Sequence, residues 1–187
     1  MQRKQSKPYE EYVYALDYLP EGRYIGNLRI REPLVQSIGE RYFMLLELVA
    51  RRNVRIEIGE RLYVGKGIRI KILRVRSRIR YDELTTDAKL ALPEVLEKIV
   101  RNREEYFVEF FNKAVPITTR LHMLELLPGI GKKTMWGFLE ERKKRPFTSF
   151  KDISERVPTS DPVKLIVKRI EMELKGDEKY NLFVRRD

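Results

Sequence analysis

Six consecutive residues, Gly129-Ile130-Gly131-Lys132-Lys133-Thr134, have the types and spacing to hold an anion. An apolar run ends at Leu127-Pro128 just before them, and an amphipathic run through Met135, Phe138 and Leu139 starts just after. The pattern predicts helix, tight turn, helix. Glycine at 129 and 131 permits positive φ and lets a ligand approach the backbone without a Cβ in the way. The amides of the new helix N-terminus would face outward, where the helix dipole places roughly half a positive charge. Two lysines add to it. A glycine-terminated helix pair with no ligand would satisfy the same spacing.

A second set of candidates lies upstream, in Ile68-Arg69-Ile70-Lys71-Ile72-Leu73-Arg74-Val75-Arg76-Ser77-Arg78-Ile79-Arg80. Apolar residues fall at 68, 70 and 72 and then at 73, 75 and 79, so the alternation slips by one between Ile72 and Leu73. A β-bulge there would bury every isoleucine and valine and place Arg69, Lys71, Arg74, Arg76, Arg78 and Arg80 together on the opposite face. Such a face suits a phosphate backbone. The plainer reading is a solvated edge strand whose charges block aggregation.

Catalytic chemistry is missing. A phosphate loop needs glycine five residues before Gly131, where Leu126 stands, and Ser or Thr directly after Lys132, where Lys133 stands. His122 is the single histidine and has no cysteine to pair with, since the chain contains none. No paired carboxylates suggest a metal nuclease. The chain is expected to be a binding protein and not an enzyme.

The elements that must position these residues are legible in part. Net charge is +11 over 187 residues, a composition that attracts polyanions. Residues 51–80 carry 11 basic against 2 acidic side chains and residues 115–150 carry 7 against 3, so the excess sits at the two candidate places. The charged fraction of 36% also fits a protein stabilised by ion-pair networks. No run reaches the ~20 apolar residues of a membrane span, and the absence of cysteine fits a reducing, cytoplasmic setting.

Tyr9 to Leu19 alternates as a strand, residues 23–40 read as loop with one short strand, and residues 41–49 read as a strand buried on both faces or a short helix. Residues 54–58 and 61–64 read as further strands. Together with the bent strand they predict a small, five-stranded closed barrel of the OB type, with tyrosines of the first strand as stacking platforms. From Tyr81 the period turns helical. Thr85 or Thr86 caps a first helix, Pro93 starts a second or kinks the first, and residues 104–113 give an apolar face of phenylalanines. A helix from Pro116 through Leu121, Leu124 and Leu127 leads into the turn. Trp136 is read as core in preference to a stacking surface, and Gly137 as a place of close helix approach. Ser149-x-x-Asp152 opens a short helix, and the last helix carries Val163, Ile166, Val167, Ile170 and Leu174 on one face until Gly176. Leu182-Phe183-Val184 either docks or stays disordered.

The segment from Leu127 to Lys132, followed by Pro146-Phe147-Thr148-Ser149-Phe150-Lys151-Asp152-Ile153, resembles the helix-hairpin-helix motif. That resemblance implies sequence-independent phosphate binding by Gly129, Ile130, Gly131, Lys132, Lys133 and Thr134. It also implies a monovalent cation held by the carbonyls of Glu125, Leu127 and Ile130, and a lesser contribution from Lys143, Lys144 and Arg145. As a whole the chain, from about Tyr9 to about Leu174, resembles an uncharacterised archaeal family known as domain of unknown function 655. The fold expected is α+β in two domains, an N-terminal OB-like small β-barrel followed by an all-α helix-hairpin-helix domain. Its bounds are a flexible tip at 1–8, the barrel at 9–81, and the helical domain at 82–175. Within the latter lie the hairpin at 117–144 and a degenerate second hairpin at 150–174; a tail follows at 176–187. The function expected is nucleic-acid binding, RNA slightly ahead of DNA, with no cofactor other than that cation. The alternatives are an adaptor in a ribosomal or transcription assembly and an accessory factor in DNA repair or processing.

Overall fold

The computed structural model describes residues 8–159 and 161–185. It is a mixed α+β structure whose main sheet has five antiparallel strands. These are β1 (Tyr12–Leu19), β4 (Leu34–Gly39), β5 (Leu45–Ala50), β6 (Arg61–Tyr63) and β7 (Ile72–Arg78), in the order β6-β1-β4-β5-β7. β2 (Arg23–Ile25) and β3 (Leu28–Ile30) form a separate hairpin, as do β8 (Pro116–Thr118) and β9 (Leu121–His122). The helices are α1 (Thr86–Asn102), α2 (Glu104–Lys113), α3 (Lys132–Lys144), α4 (Phe150–Arg156) and α5 (Pro162–Lys175).

The contacts divide the chain into two units, residues 1–95 with 173–187, and residues 96–172. The divisions fall inside α1 and α5, not at the expected boundary near residue 81. In the sheet unit, β4 and β5 are buried along their whole length, so both sheet faces are covered. Val13, Ala15, Val35, Leu46, Leu48 and Ile72 share one core cluster. Each such side chain contributes about 1.5–3 kcal/mol by leaving water. The sheet is curled and bulged rather than closed: β6 and β7 end it and do not pair with each other.

The reason lies in residues 64–71. They leave the sheet after β6, and Ile68 and Ile70 stand 92% and 82% exposed. The expected burial therefore fails for Ile68 and Ile70, whereas Ile72 and Ile79 are buried as expected. Bulges do occur, with Leu73 and Arg76 each left over in the pairing with β5, but Leu73 and Val75 point outward and only Ile72 is buried within the strand. The strand expected at 54–58 is also absent, because Asn53 and Gly59 take positive φ at either end and Gly59 N–H donates to Ala15 O at 2.7 Å. Residues 23–40, in contrast, hold three strands in place of one. No second helix starts at Pro93, since α1 runs through it.

The unit of residues 96–172 is packed around aromatic rings. Phe111 stacks on Phe138 at 5.1 Å, and Phe147 meets Phe138 edge-on at 6.0 Å. Asn112 on α2 exchanges two hydrogen bonds with the backbone of Phe147, at 2.8 and 2.9 Å. The tail docks within the sheet unit. Glu173, itself buried, accepts the amides of Leu182, Phe183 and Val184 at 2.6 to 3.0 Å. Residues 1–7 of the expected tip, Ser160 of the second turn and residues 186–187 lie outside the described residues.

Candidate nucleic-acid interface

The turn at 129–134 is reached through β8, β9 and a single 3-10 turn at Met123–Leu126, not through the α-helix expected from residue 116. Pro116, Ile117, Thr118 and Thr119 include two β-branched threonines and an isoleucine, which fit a strand pair better than a helix. His122 closes the pair and caps the 3-10 turn, its Nδ1 accepting the Leu124 amide at 3.1 Å. Glu125 returns the contact by accepting the His122 amide at 2.9 Å. That amide, with Lys132, holds the Glu125 carboxyl below its usual range. Burial, helped by the nearby Arg142 charge, holds the His122 imidazole below its usual value as well.

Leu127 and Ile130 anchor the turn in the core, and Ile130 N–H donates to Leu127 O at 3.1 Å. Gly129 has φ +85, which a residue with a Cβ rarely adopts. A Cβ built on Gly129 or Gly131 meets no atom within 4 Å, so the outer side of the turn is open. Gly131 is the N-cap of α3, and the first bond into the helix is Met135 N–H to Gly131 O at 2.9 Å. The amides of Lys132, Lys133 and Thr134 precede that bond and have no acceptor within the helix. Lys132 is held back over the turn, its Nζ donating to Arg120 O and Glu125 Oε1, both at 3.2 Å. Of the three carbonyls expected to hold a cation, that of Leu127 already accepts the Ile130 amide.

Trp136 is 54% exposed, which corrects its reading as core. The spacing 133, 136, 140, 143 follows one face of α3, and Lys133, Trp136, Glu140 and Lys143 are all exposed. Neither Lys133 nor Lys143 has an acidic partner among the described residues. Lys144 pairs with Glu141 at 2.5 Å and Arg145 with Asp152 at 2.8 Å. Burial raises the Asp152 carboxyl, but the Thr148 amide, Arg156 and Arg145 outweigh it and hold the group below its usual range. Asp152 and Arg156 thereby join the end of α3 to α4: Arg156 reaches Asp152 Oδ2 at 3.0 Å, Glu141 O at 2.5 Å and Arg145 O at 2.9 Å.

The family described as "Protein of unknown function (DUF655)" matches residues 9–185. The chain belongs to that family. It is 50% identical over 186 residues to an uncharacterized protein of Methanocaldococcus jannaschii, covering 97% of this chain and 84% of that one. It is also similar to a family protein of Archaeoglobus fulgidus known from a crystal structure, with a TM-score of 0.88 and 48% identity over 94% of this chain and all of the other.

In this DUF655 chain the six basic residues of the second candidate set do not share a free face. Lys71 pairs with Glu60 at 2.6 Å, Arg74 with Glu32 at 2.8 Å, Arg76 with Glu47 at 2.6 Å and Arg80 with Asp82 at 3.2 Å. Arg69 Nε donates to Gly65 O and Arg78 Nη2 to Arg185 O. Reading one strand as an isolated ribbon missed these partners, which come from parts of the chain 11 to 107 residues distant and from two residues nearby. The same reading missed β2 and β3, although Gly26-Asn27 between two apolar pairs is a hairpin signal.

Proposed function

We propose that this protein binds nucleic-acid backbones without reading sequence and catalyses no reaction, RNA being slightly preferred over DNA. The observation that carries the reading is the exposed row beside the open turn: amides at Lys132 to Thr134 with no acceptor within the helix, then Lys133, Trp136 and Lys143 along one side of α3. Helix amides and the dipole favour a phosphate at the turn, lysines favour the next ones, and an exposed indole suits an unstacked base. In this reading the turn has helix-hairpin-helix character, with a 3-10 turn in the place of its first helix, and the curled sheet is a relative of the OB barrel.

A second reading, a protein-binding adaptor, is favoured by one feature: Ile68 and Ile70 just before the end strand of the sheet and Leu73 and Val75 on it are exposed, where a phosphate backbone has no use for them. Titration of the protein with single-stranded and duplex RNA and DNA at moderate salt separates the two. Trp136, the single tryptophan, reports contact by quenching of its emission. Saturable quenching supports the first reading, and no affinity for any of the four ligands supports the adaptor.

A further inference from the structure

A cavity of about 320 Å³ opens in the sheet unit, lined in part by Tyr9, Glu11, Tyr12, Arg41, Tyr42 and Arg185. Its walls are fixed from behind. The buried carboxylate of Glu10 accepts the amides of Arg41, Tyr42 and Met44 at 3.0, 2.8 and 3.2 Å, and Arg185 N–H donates to Tyr42 O at 3.1 Å. The first and last described parts of the chain are thereby held around one opening. Three phenol rings border it, and the guanidiniums of Arg41 and Arg185 lie 5.2 and 5.3 Å from the centre of the Tyr42 ring. Tyr9 is 53% exposed, with Lys66 Nζ 5.4 Å from the centre of its ring, so one face of the ring is left to a planar partner. Glu11 is exposed, and no described residue takes its carboxylate.

Rings that stack, cations that take a phosphate and a carboxylate that takes N–H donors are the three groups that recognise a nucleotide with an unpaired base. A carboxylate accepts two parallel N–H bonds, and among the common bases guanine offers two on one edge, its ring N–H and its amino group. We propose that this cavity binds a guanine nucleotide, free or at an unpaired position of a strand. In that arrangement the base lies against Tyr9, its donor edge faces Glu11, and its phosphate faces Arg41 and Arg185 beside the Tyr42 ring that they cover. The class of ligand rests on the nucleic-acid reading above, but the cavity shares no residue with the 129–134 turn.

Calorimetric titration with guanosine, adenosine, cytidine and uridine monophosphates, and with a short guanine-containing single strand, tests the proposal. Guanosine monophosphate should bind at least ten-fold more tightly than the other three. Tyr9→Ala should weaken it roughly ten-fold through lost stacking, and Glu11→Gln should abolish the preference for guanine. Both side chains are exposed, and circular dichroism should show both variants folded. Binding of the strand alone, weakened by Tyr9→Ala and kept in Gly131→Asp, would assign the site to an unpaired guanine in nucleic acid; binding of the mononucleotide as well would assign it to free nucleotide. No saturable binding of either, equal affinity for all four bases, or binding indifferent to both substitutions would overturn it. Gly131→Asp separates the two sites: it should leave guanosine monophosphate binding unchanged, whatever becomes of duplex binding.

Discussion

Arg76 Nη1 lies 2.6 Å from Oε1 of Glu47, a carboxylate with no solvent exposure in the middle of the sheet. Arg23 Nη2 approaches the other oxygen at 2.5 Å, close but off hydrogen-bond alignment, since Glu47 Oε2 has no well-directed donor. A buried carboxylate flanked by two arginines is expensive to break because each partner left behind is a charge without compensation. Glu47→Ala should therefore destabilise the fold by about 3 kcal/mol in urea unfolding, the low end of the range because the arginines keep some contact with water. Arg74→Gln should change stability by less than about 0.5 kcal/mol, since Arg74 and Glu32 are both half exposed. A Glu47→Ala loss as small as that of Arg74→Gln would show that the pair does not hold β5 to β7.

Gly131→Asp should leave the fold intact and remove duplex binding. Gly131 has φ −89 and ψ 178, ordinary extended backbone, with open space where the side chain would go. Aspartate is a favoured N-cap, so its carboxylate would take the amides that a phosphate needs. Melting temperature should stay level or rise slightly while duplex affinity falls at least ten-fold. Lys133→Glu should weaken binding without disturbing the turn, whereas Lys132→Glu would set an acid against Glu125. Unchanged binding by folded variants would make the turn structural only.

Salt dependence counts the contacts. Lys133→Gln with Lys143→Gln should flatten the slope of log affinity against log salt on duplex by about 1.8, roughly 0.9 per phosphate contact. The triple change Arg74, Arg76 and Arg78 to Gln would remove contacts only if each arginine first releases Glu32, Glu47 or the Arg185 carbonyl. Its expected signature is lost stability through Arg76 with a slope nearly unaltered. A slope reduced by about two units on single strands, roughly 0.7 for each of three free arginines, would show instead that the strand meets phosphate.

Gly137→Ala should stabilise the protein by about 1 kcal/mol, the helix-propensity difference between the two residues. A Cβ at this position meets only Val157 Cγ1, at 3.8 Å, an ordinary contact. Thermal unfolding of the two proteins side by side gives the answer. A loss of stability would mean that the approach of Val157 to α3 is tighter than the distance shows.

His122 gives the stability a pH dependence. Its imidazole is held below the ordinary 6.5 by burial and by Arg142, so the unfolded chain binds a proton more readily than the native one. Stability should therefore be unaffected by this group above about pH 6.5 and should fall as pH drops below it. His122→Asn keeps an acceptor for the Leu124 amide and should remove that part of the pH dependence, seen as converging urea midpoints. Identical pH profiles would exclude His122 as the source.

The turn, α3, α4 and α5 were legible because their signals are local: glycine beside an apolar run, Ser149 three residues before Asp152, and period-3.6 burial through Val163, Ile166 and Ile170. The sheet was legible only where one face alone decides the pattern. In β1, β4 and β5 both faces are covered, so alternation loses its meaning, and polar Gln36, Ser37 and Glu47 are buried with partners that no spacing reveals. Arginines read as a free face are free only until the rest of the chain supplies acids. Trp136 was misplaced because an apolar side chain beside a packed stripe looks the same in sequence whether or not anything covers it.

Because the sheet unit takes residues from both ends of the chain and residues 96–172 form the other, order of synthesis and order of completion differ. Chains emerge from the ribosome at about 5–20 residues per second, so the sheet unit, whose five main-sheet strands are all made by residue 78, waits for 173–185 to complete it while the intervening unit has everything it needs. The amide of Arg185 and the Glu173 contacts with residues 182–184 are among the last bonds to form. A nascent chain thus passes through a stage in which the 129–134 turn is finished and the cover that residues 182–185 give the sheet unit is not. Stalled or shortened products would be held in that stage. If the proposed function holds, they would combine a grip on polyanions with a sheet unit that lacks its last cover.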